Sequence, residues 1–215
     1  MTSPTTVSAR YTAFINMQWL ASGSLTDTLA ALIAAHHQSA GQDAPAFWLL
    51  DDARGAALEL DFRGSPAEVE ARVVAQLPPV APEPDTASAR SGPGRPRLGV
   101  IAREVTLLPQ HWEWLSQQPG GASVALRKLV HAASKANVLQ DRARASRDAA
   151  HRVMLTLGGS LPGFEEASRA MFKGDFRQTS ACLHAWPADL QTYLKRLLDV
   201  AEQDGIAAAA PQTDL

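Results

Sequence analysis

Few side chains that commonly do chemistry occur in this sequence at a catalytic spacing. Ser160 follows Gly158 and Gly159, but Pro162 stands where a nucleophile elbow needs its second glycine, and no strand precedes it. This stretch therefore indicates a helix end followed by a turn. The sequence also lacks a glycine-rich phosphate loop that ends in Lys-Ser or Lys-Thr.

The candidate metal ligands are equally scattered. None of the six histidines has another histidine three or four residues away, so no helix presents two imidazoles to one metal. Cys182 stands among apolar residues, which is typical of a core cysteine. Asp51, Asp52 and Asp61 could bind a cation, but acidic hairpin turns are common. We therefore predict a protein that is not an enzyme, with no metal site and no cofactor.

Charge is distributed unevenly along the 215 residues, although the net charge is only −2. Residues 90–152 hold 11 basic and 4 acidic side chains, whereas the segments before and after them are both acidic. A basic centre of this kind favours a polyanionic partner such as DNA. The alternative is that the arginines pair with acidic residues inside the fold.

The first segment, residues 10–77, predicts a small β-α-β-β-α domain. Apolar and polar residues alternate over Tyr11–Met17, and Ser24 with Asp27 marks a helix start. A hairpin is predicted around Asp51–Gly55, and Ser65 with Glu68 forms a capping box before the next helix.

The remaining segments complete an α+β fold class. Proline and small polar residues indicate a Pro/Gly-rich linker over 78–97 with a basic end. A strand-helix-helix module (98–136), a helical C-terminal region (137–204) and a frayed tail (205–215) follow. No run of about 18 apolar residues occurs, so no membrane span is predicted. A single cysteine and an N-terminus without signal-peptide character suit the cytoplasm.

The strand-helix-helix order of 98–135 resembles the Arc/MetJ ribbon-helix-helix superfamily. In that fold, two copies pair their strands into a ribbon that enters the DNA major groove. The resemblance implies a homodimer through strand 100–108, with Val105, Leu107 and Trp112 facing inward. Glu104 and Thr106 would then face the bases. The match departs from the pattern at two residues: glutamate is unfavourable at a position that faces the groove, and Arg103 lies on the same, inward-facing side of the strand as Val105. The predicted contacts to DNA are those of Arg95, Arg97, Arg103, Glu104, Thr106, Ser123, Arg127 and Lys128.

The second helix of this module is predicted to bury one face and to hold a phosphate at its first turn. Val124, Leu129, Val130 and Ala133 would form the buried face, and Leu115 would be a core residue of the first helix. Just before the strand, Gly94-Arg95-Pro96-Arg97 resembles the core of an AT-hook, whose arginines lie in the minor groove of A·T-rich DNA.

Three longer strings carry a second resemblance. They are GRPRLGVIAREVTLLPQHWEWLSQQPGGASVALRKLV, GGSLPGFEEASRAMF and AWPADL. Together they resemble an uncharacterised bacterial family, a domain of unknown function, over most of residues 10–200. This resemblance implies a shared architecture and no catalytic residue.

The sequence thus predicts a dimeric, non-enzymatic DNA-binding protein, a regulator of transcription whose partner is double-stranded DNA. Its location would be the cytoplasm, at the nucleoid. The alternative is a protein-protein interaction or scaffold module whose basic centre docks an acidic partner.

Overall fold

The computed structural model describes residues 10–39, 45–78 and 103–210. The chain divides into two compact units: Met1–Leu77 together with Val138–Leu215, and Pro78–Asn137 between them. We call these the split unit and the inserted unit. None of the helices in the described ranges is long and apolar enough to cross a membrane.

The split unit contains a four-stranded antiparallel sheet in the order β2-β1-β3-β4. The strands are β1 (Tyr11–Ile15), β2 (Gln18–Gly23), β3 (Phe47–Asp51) and β4 (Ala56–Leu58). The predicted single strand over Tyr11–Met17 is wrong in its extent, because the chain turns at Asn16, whose φ of 52° is left-handed. Asparagine tolerates this conformation better than most residues, and the chain returns as β2, which the sequence analysis missed.

Both helices of the N-terminal part begin at the predicted serines. Ser24 caps α1 (Leu25–Gln38) by accepting a hydrogen bond from the backbone N–H of Asp27. Ser65 and Glu68 form the predicted capping box of α2 (Pro66–Val74). The observed order is therefore β-β-α-β-β-α.

The sheet is buried on both of its faces. On one face, Leu29 and Leu32 of α1 and Val69 of α2 pack against Tyr11 and Leu49. On the other face, Phe14 and Leu50 pack against α5 (Val138–Gly158) and α8 (Ala188–Ala209). This double burial accounts for the continuous apolar run at the start of β3, where a half-exposed strand would alternate.

The C-terminal helices surround a core centred on α5 and α8. Between these two lie α6 (Phe164–Phe172), α7 (Phe176–Cys182) and a 3-10 turn, Leu183–Ala185. Trp186 packs over the end of α5, where a Cβ on Gly158 would lie 2.2 Å from the indole ring. The indole N–H donates to the carbonyl oxygen of Pro162 at 2.8 Å, which fixes the turn after α5.

The helix α8 continues through Gly205 to Ala209, beyond the point where the sequence predicts a frayed tail. Alanine is the best helix former, and residues 207–209 are alanines. Asp204 also ties the end of α8 to α5 through an ion pair with Arg142 at 2.8 Å.

A polar cluster joins the sheet to α8. The carboxylate of Asp52, in the turn after β3, accepts hydrogen bonds from the Tyr193 hydroxyl at 2.7 Å and from Arg196 Nη2 at 2.6 Å. The Arg196 guanidinium lies 5.2 Å from the centroid of the Trp19 ring. Burial raises the pKa of the Asp52 carboxyl, although Tyr193, Thr12 and Arg196 act in the opposite direction.

Candidate nucleic-acid interface

The inserted unit is a pair of helices separated by a glycine turn. The helix α3 (Pro109–Ser116) begins with proline at its first position, where the missing N–H has no helical partner to lose. The chain breaks at Gly120 and Gly121, whose φ angles of 85° and 75° favour glycine, and α4 (Gly121–Ala136) follows. The two helices predicted for this module are confirmed.

The strand predicted over 100–108, before α3, is absent from the residues of this segment that the structure describes. Residues 103–108 form no strand, while 100–102 lie outside the described residues. A ribbon strand has no partner within its own chain, so its backbone groups are paired only when a second copy contributes its strand. Arg103, Glu104 and Thr106 are exposed on this segment.

The helix α4 has two chemically different faces. Ser123, Arg127, His131 and Lys135 follow one another at intervals of four residues and therefore share one face, beside which Lys128 lies. All five are exposed. In the described ranges, no ion pair includes Arg103, Arg127 or Lys128.

Leu129 and Ala133 lie on the opposite side of α4 and are exposed, whereas Val130, seven residues after Ser123, lies at the edge of the basic face. Leu129 is 50% exposed and Val130 is 65% exposed, and Ala133 is exposed as well. The prediction that these three residues are buried is wrong for the single chain, and Val124 is only half-buried. The α3–α4 hairpin is too small to cover both sides of its second helix.

The predicted dimer residues are also largely uncovered. Val105 is 54% exposed and Trp112 is 42% exposed, whereas Leu107 is half-buried. Within 103–137, Leu115 and Ala125 are the buried apolar residues, and they lie between α3 and α4. The burial predicted for Leu115 is confirmed.

The other arginines of the basic segment 90–152 either lie outside the described residues or belong to α5. Arg95 and Arg97 lie outside the described residues. On α5, by contrast, Arg142 pairs with Asp204 and Arg144 pairs with Asp141 at 3.3 Å. Arg152 donates to the backbone carbonyl of Arg54. Part of the basic charge is therefore used inside the fold, as the alternative interpretation of the charge pattern expects.

The three carboxylates considered for a cation site each have an arginine partner. Asp51 pairs with Arg54 at 2.8 Å, Asp52 with Arg196, and Asp61 with Arg63 at 2.9 Å. Among the described residues, no group of three or more histidine, cysteine, aspartate or glutamate side chains could hold a metal ion.

Sequence reasoning missed the cluster around Asp52, because Tyr193 and Arg196 lie more than 140 residues further along the chain. The interval of three residues between Tyr193 and Arg196 shows that they share a face of a helix, but it does not show which residues they contact.

Comparison with known proteins adds one finding. No curated protein and no solved structure matches the chain significantly, so the resemblance of 98–135 to the Arc/MetJ superfamily stays a prediction. A family model does match residues 10–198. The chain therefore belongs to the DUF2239 family, which is described as an uncharacterised protein conserved in bacteria.

Proposed function

We propose that this chain is a DNA-binding protein that acts as a dimer through its inserted unit and regulates transcription. The observation that carries the proposal is the two-faced α4, which has exposed Leu129 and Ala133 on one side and cations outside any described ion pair on the other. The apolar side suits a second copy of the chain, and the basic side suits a phosphate backbone.

The case for a dimer begins with the small core of the inserted unit. Helices of 8 and 16 residues with two buried apolar side chains do not supply enough burial to be stable on their own. A second copy would cover Val105, Leu129 and Ala133, and it would pair residues 103–108 with their equivalent. One association thus accounts for both the uncovered apolar surface and the unpaired segment.

The case for DNA rests on the position of the cations. Arg127 and Lys128 lie in the second turn of α4, and Arg127 is one turn beyond Ser123, which lies in the first turn with its free backbone N–H groups. In a ribbon, Glu104 and Thr106 would face the bases, and Arg103 would lie at its end. Arg95 and Arg97 would add a minor-groove arm, and the protein would be found in the cytoplasm at the nucleoid.

Fluorescence anisotropy tests this proposal. The full chain is titrated into A·T-rich and G·C-rich duplexes over a salt series. Each phosphate contact contributes about −0.9 to the slope of log K against log salt concentration. R127Q/K128Q removes two cations from each copy of the dimer, so it should make the slope shallower by about 3.6. The matched control K173Q/R177Q removes two exposed cations of the split unit and should leave the slope unchanged.

A second variant tests the dimer. L129D places a charge on a side chain that is 50% exposed in the single chain and lies opposite the cations, so it should not disturb the fold of one copy. Light scattering should give twice the 23.0 kDa chain mass for the wild type and the single mass for L129D. Absence of DNA binding at low salt, or wild-type DNA binding by a monomeric L129D, would refute the proposal. Binding of an acidic protein instead would favour the scaffold alternative.

A further inference from the structure

A pocket of about 340 Å³ lies in the split unit, between the first half of α5 and the last turns of α8. Gln140, Arg144 and Arg147 of α5 line one side. Three small residues of α8, including Gly205, form the other side. The pocket thus combines two guanidinium groups and an amide with a floor that has almost no side chains.

The Arg147 side chain has an unused donor. Its Nε is buried and has no hydrogen-bond acceptor among the described residues. A buried N–H without a partner is unfavourable, and such groups in proteins usually meet a ligand, an ion or water. Arginine can donate through Nε and one Nη together to two oxygens of a phosphate or carboxylate. Because the Nε of Arg147 is covered by the surrounding atoms, this contact requires the side chain to change rotamer when the ligand binds.

The other charges around the pocket do not neutralise Arg147. Asp141 is paired with Arg144, and Asp204 faces Arg142 at 2.8 Å. The Asp141–Arg144 pair is long, at 3.3 Å, and both side chains are more than half exposed. Such a pair is weak, so Arg144 can turn toward a bound anion.

Gly205 is the third observation. Glycine inside a helix is less favourable than alanine, and α8 continues for four residues beyond it. Apart from its chain neighbours and the adjacent backbone of α8, no described atom lies within 4 Å of the position that a Cβ on Gly205 would occupy, in contrast to Gly158, whose Cβ would collide with Trp186. Packing among the described residues therefore does not require glycine at 205. Its missing side chain leaves the backbone of α8 open to the pocket.

We propose that this pocket binds a small molecule through a phosphoryl group, with Arg147 holding two of the oxygens. Arg144 would supply a second positive charge, and the amide of Gln140 would donate to the third oxygen or to the rest of the ligand. Because Gly205 has no side chain, the bound ligand can approach the backbone of α8. The volume is at the lower end of small-molecule sites and suits a single phosphoester with a small organic body.

The test is isothermal titration calorimetry of the full chain at constant ionic strength, without DNA, using inorganic phosphate and glycerol phosphate in separate arms. R147Q should weaken binding of the preferred probe at least about tenfold. R177Q removes an exposed arginine of α7 and should bind like the wild type. Binding of both probes identifies the phosphoryl group as sufficient, and binding of glycerol phosphate alone shows that the organic body contributes.

G205A separates a ligand site from a structural role. Alanine should raise the melting temperature of the protein, because it favours the helix and meets open space. The same variant should weaken binding several-fold, because the new methyl group enters the pocket. Failure of the wild type to bind either probe, equal affinities of R147Q and R177Q, or a stabilised G205A with unchanged affinity would overturn the proposal. Because the assay contains no DNA, its outcome is independent of the proposed DNA binding.

Discussion

The ion pair between Asp52 and Arg196 allows a quantitative test of how the two halves of the split unit are joined. Asp52 is only 11% exposed, whereas Arg196 is 29% exposed. Replacing Asp52 by alanine removes the acceptor of both the Tyr193 hydroxyl and Arg196 Nη2. After this change Arg196 Nη2 keeps only its contact to the Thr12 hydroxyl oxygen at 3.1 Å, and the Tyr193 hydroxyl loses its bond to the carboxylate.

The expected cost follows from these exposures. Removing one partner of a fully buried ion pair costs about 3–5 kcal/mol, but the partial exposure of Arg196 lets water recover some of this loss. We therefore expect D52A to lower the free energy of unfolding by about 3 kcal/mol. Y193F removes one hydrogen bond to a charged acceptor and should cost about 1.5 kcal/mol. The double variant should cost less than the sum, with a coupling of about 1 kcal/mol.

Urea unfolding followed by circular dichroism measures these values. D61A is the control, because both arginine partners of Asp61, Arg63 and Arg72, are more exposed than Arg196, and it should change stability much less than D52A. A loss below about 1 kcal/mol for D52A, or strict additivity with Y193F, would refute our account of this cluster.

The direction of the Asp52 pKa shift adds a pH test. Burial raises the pKa of Asp52 above its ordinary value of 3.8, so the folded state binds this proton more tightly than the unfolded state. The contribution of this group to stability is therefore complete below pH 3.8 and is lost as the pH rises through the folded-state pKa. As the pH rises from 3.8 through the folded-state pKa, the free energy of unfolding of the wild type should fall relative to that of D52N. A rise would contradict burial as the dominant cause.

Two further predictions concern the helix ends. G158A should lower the free energy of unfolding by about 2 kcal/mol, because its Cβ would lie 2.2 Å from the packed indole of Trp186. In thermal unfolding, G158A should lower the melting temperature and G205A should raise it. Hydrogen bonds from the backbone and hydroxyl of Ser65 lower the pKa of Glu68 below its ordinary value of 4.5. The contribution of Glu68 to stability is thus complete above pH 4.5 and is lost as the pH falls through the folded-state pKa. The melting temperature of E68Q should therefore fall less steeply on acidification than that of the wild type. Equal slopes for the two proteins would contradict this assignment.

Local signals predicted much of the secondary structure. The capping serines at 24 and 65, and the glycines at 120 and 121, each act within a few residues of the element that they bound, so one sequence is enough to place them. The strand β2 was missed because Gln18–Gly23 shows no clear alternation; its residues are specified by pairing with β1.

Which residues are buried, and which residues contact one another, was harder to predict than where the helices lie. The periodicity of α4 identifies an apolar face, but it cannot show whether that face is covered by the same chain or by another. The partners of Asp52 are set by the packing of α8 on the sheet, which brings together residues 141 and 144 positions apart. No local pattern contains that information.

The interruption of the split unit by residues 78–137 has a consequence for how the protein folds during synthesis. One face of the sheet is covered by α1 and α2, which leave the ribosome with it, but Phe14 and Leu50 gain their cover only from α5 and α8. The nascent chain therefore carries an apolar sheet face while the 60 residues of the inserted unit are being made. Such contacts between distant residues slow folding and expose intermediates to aggregation. A chain that stops before α8 should depend on chaperones to stay in solution.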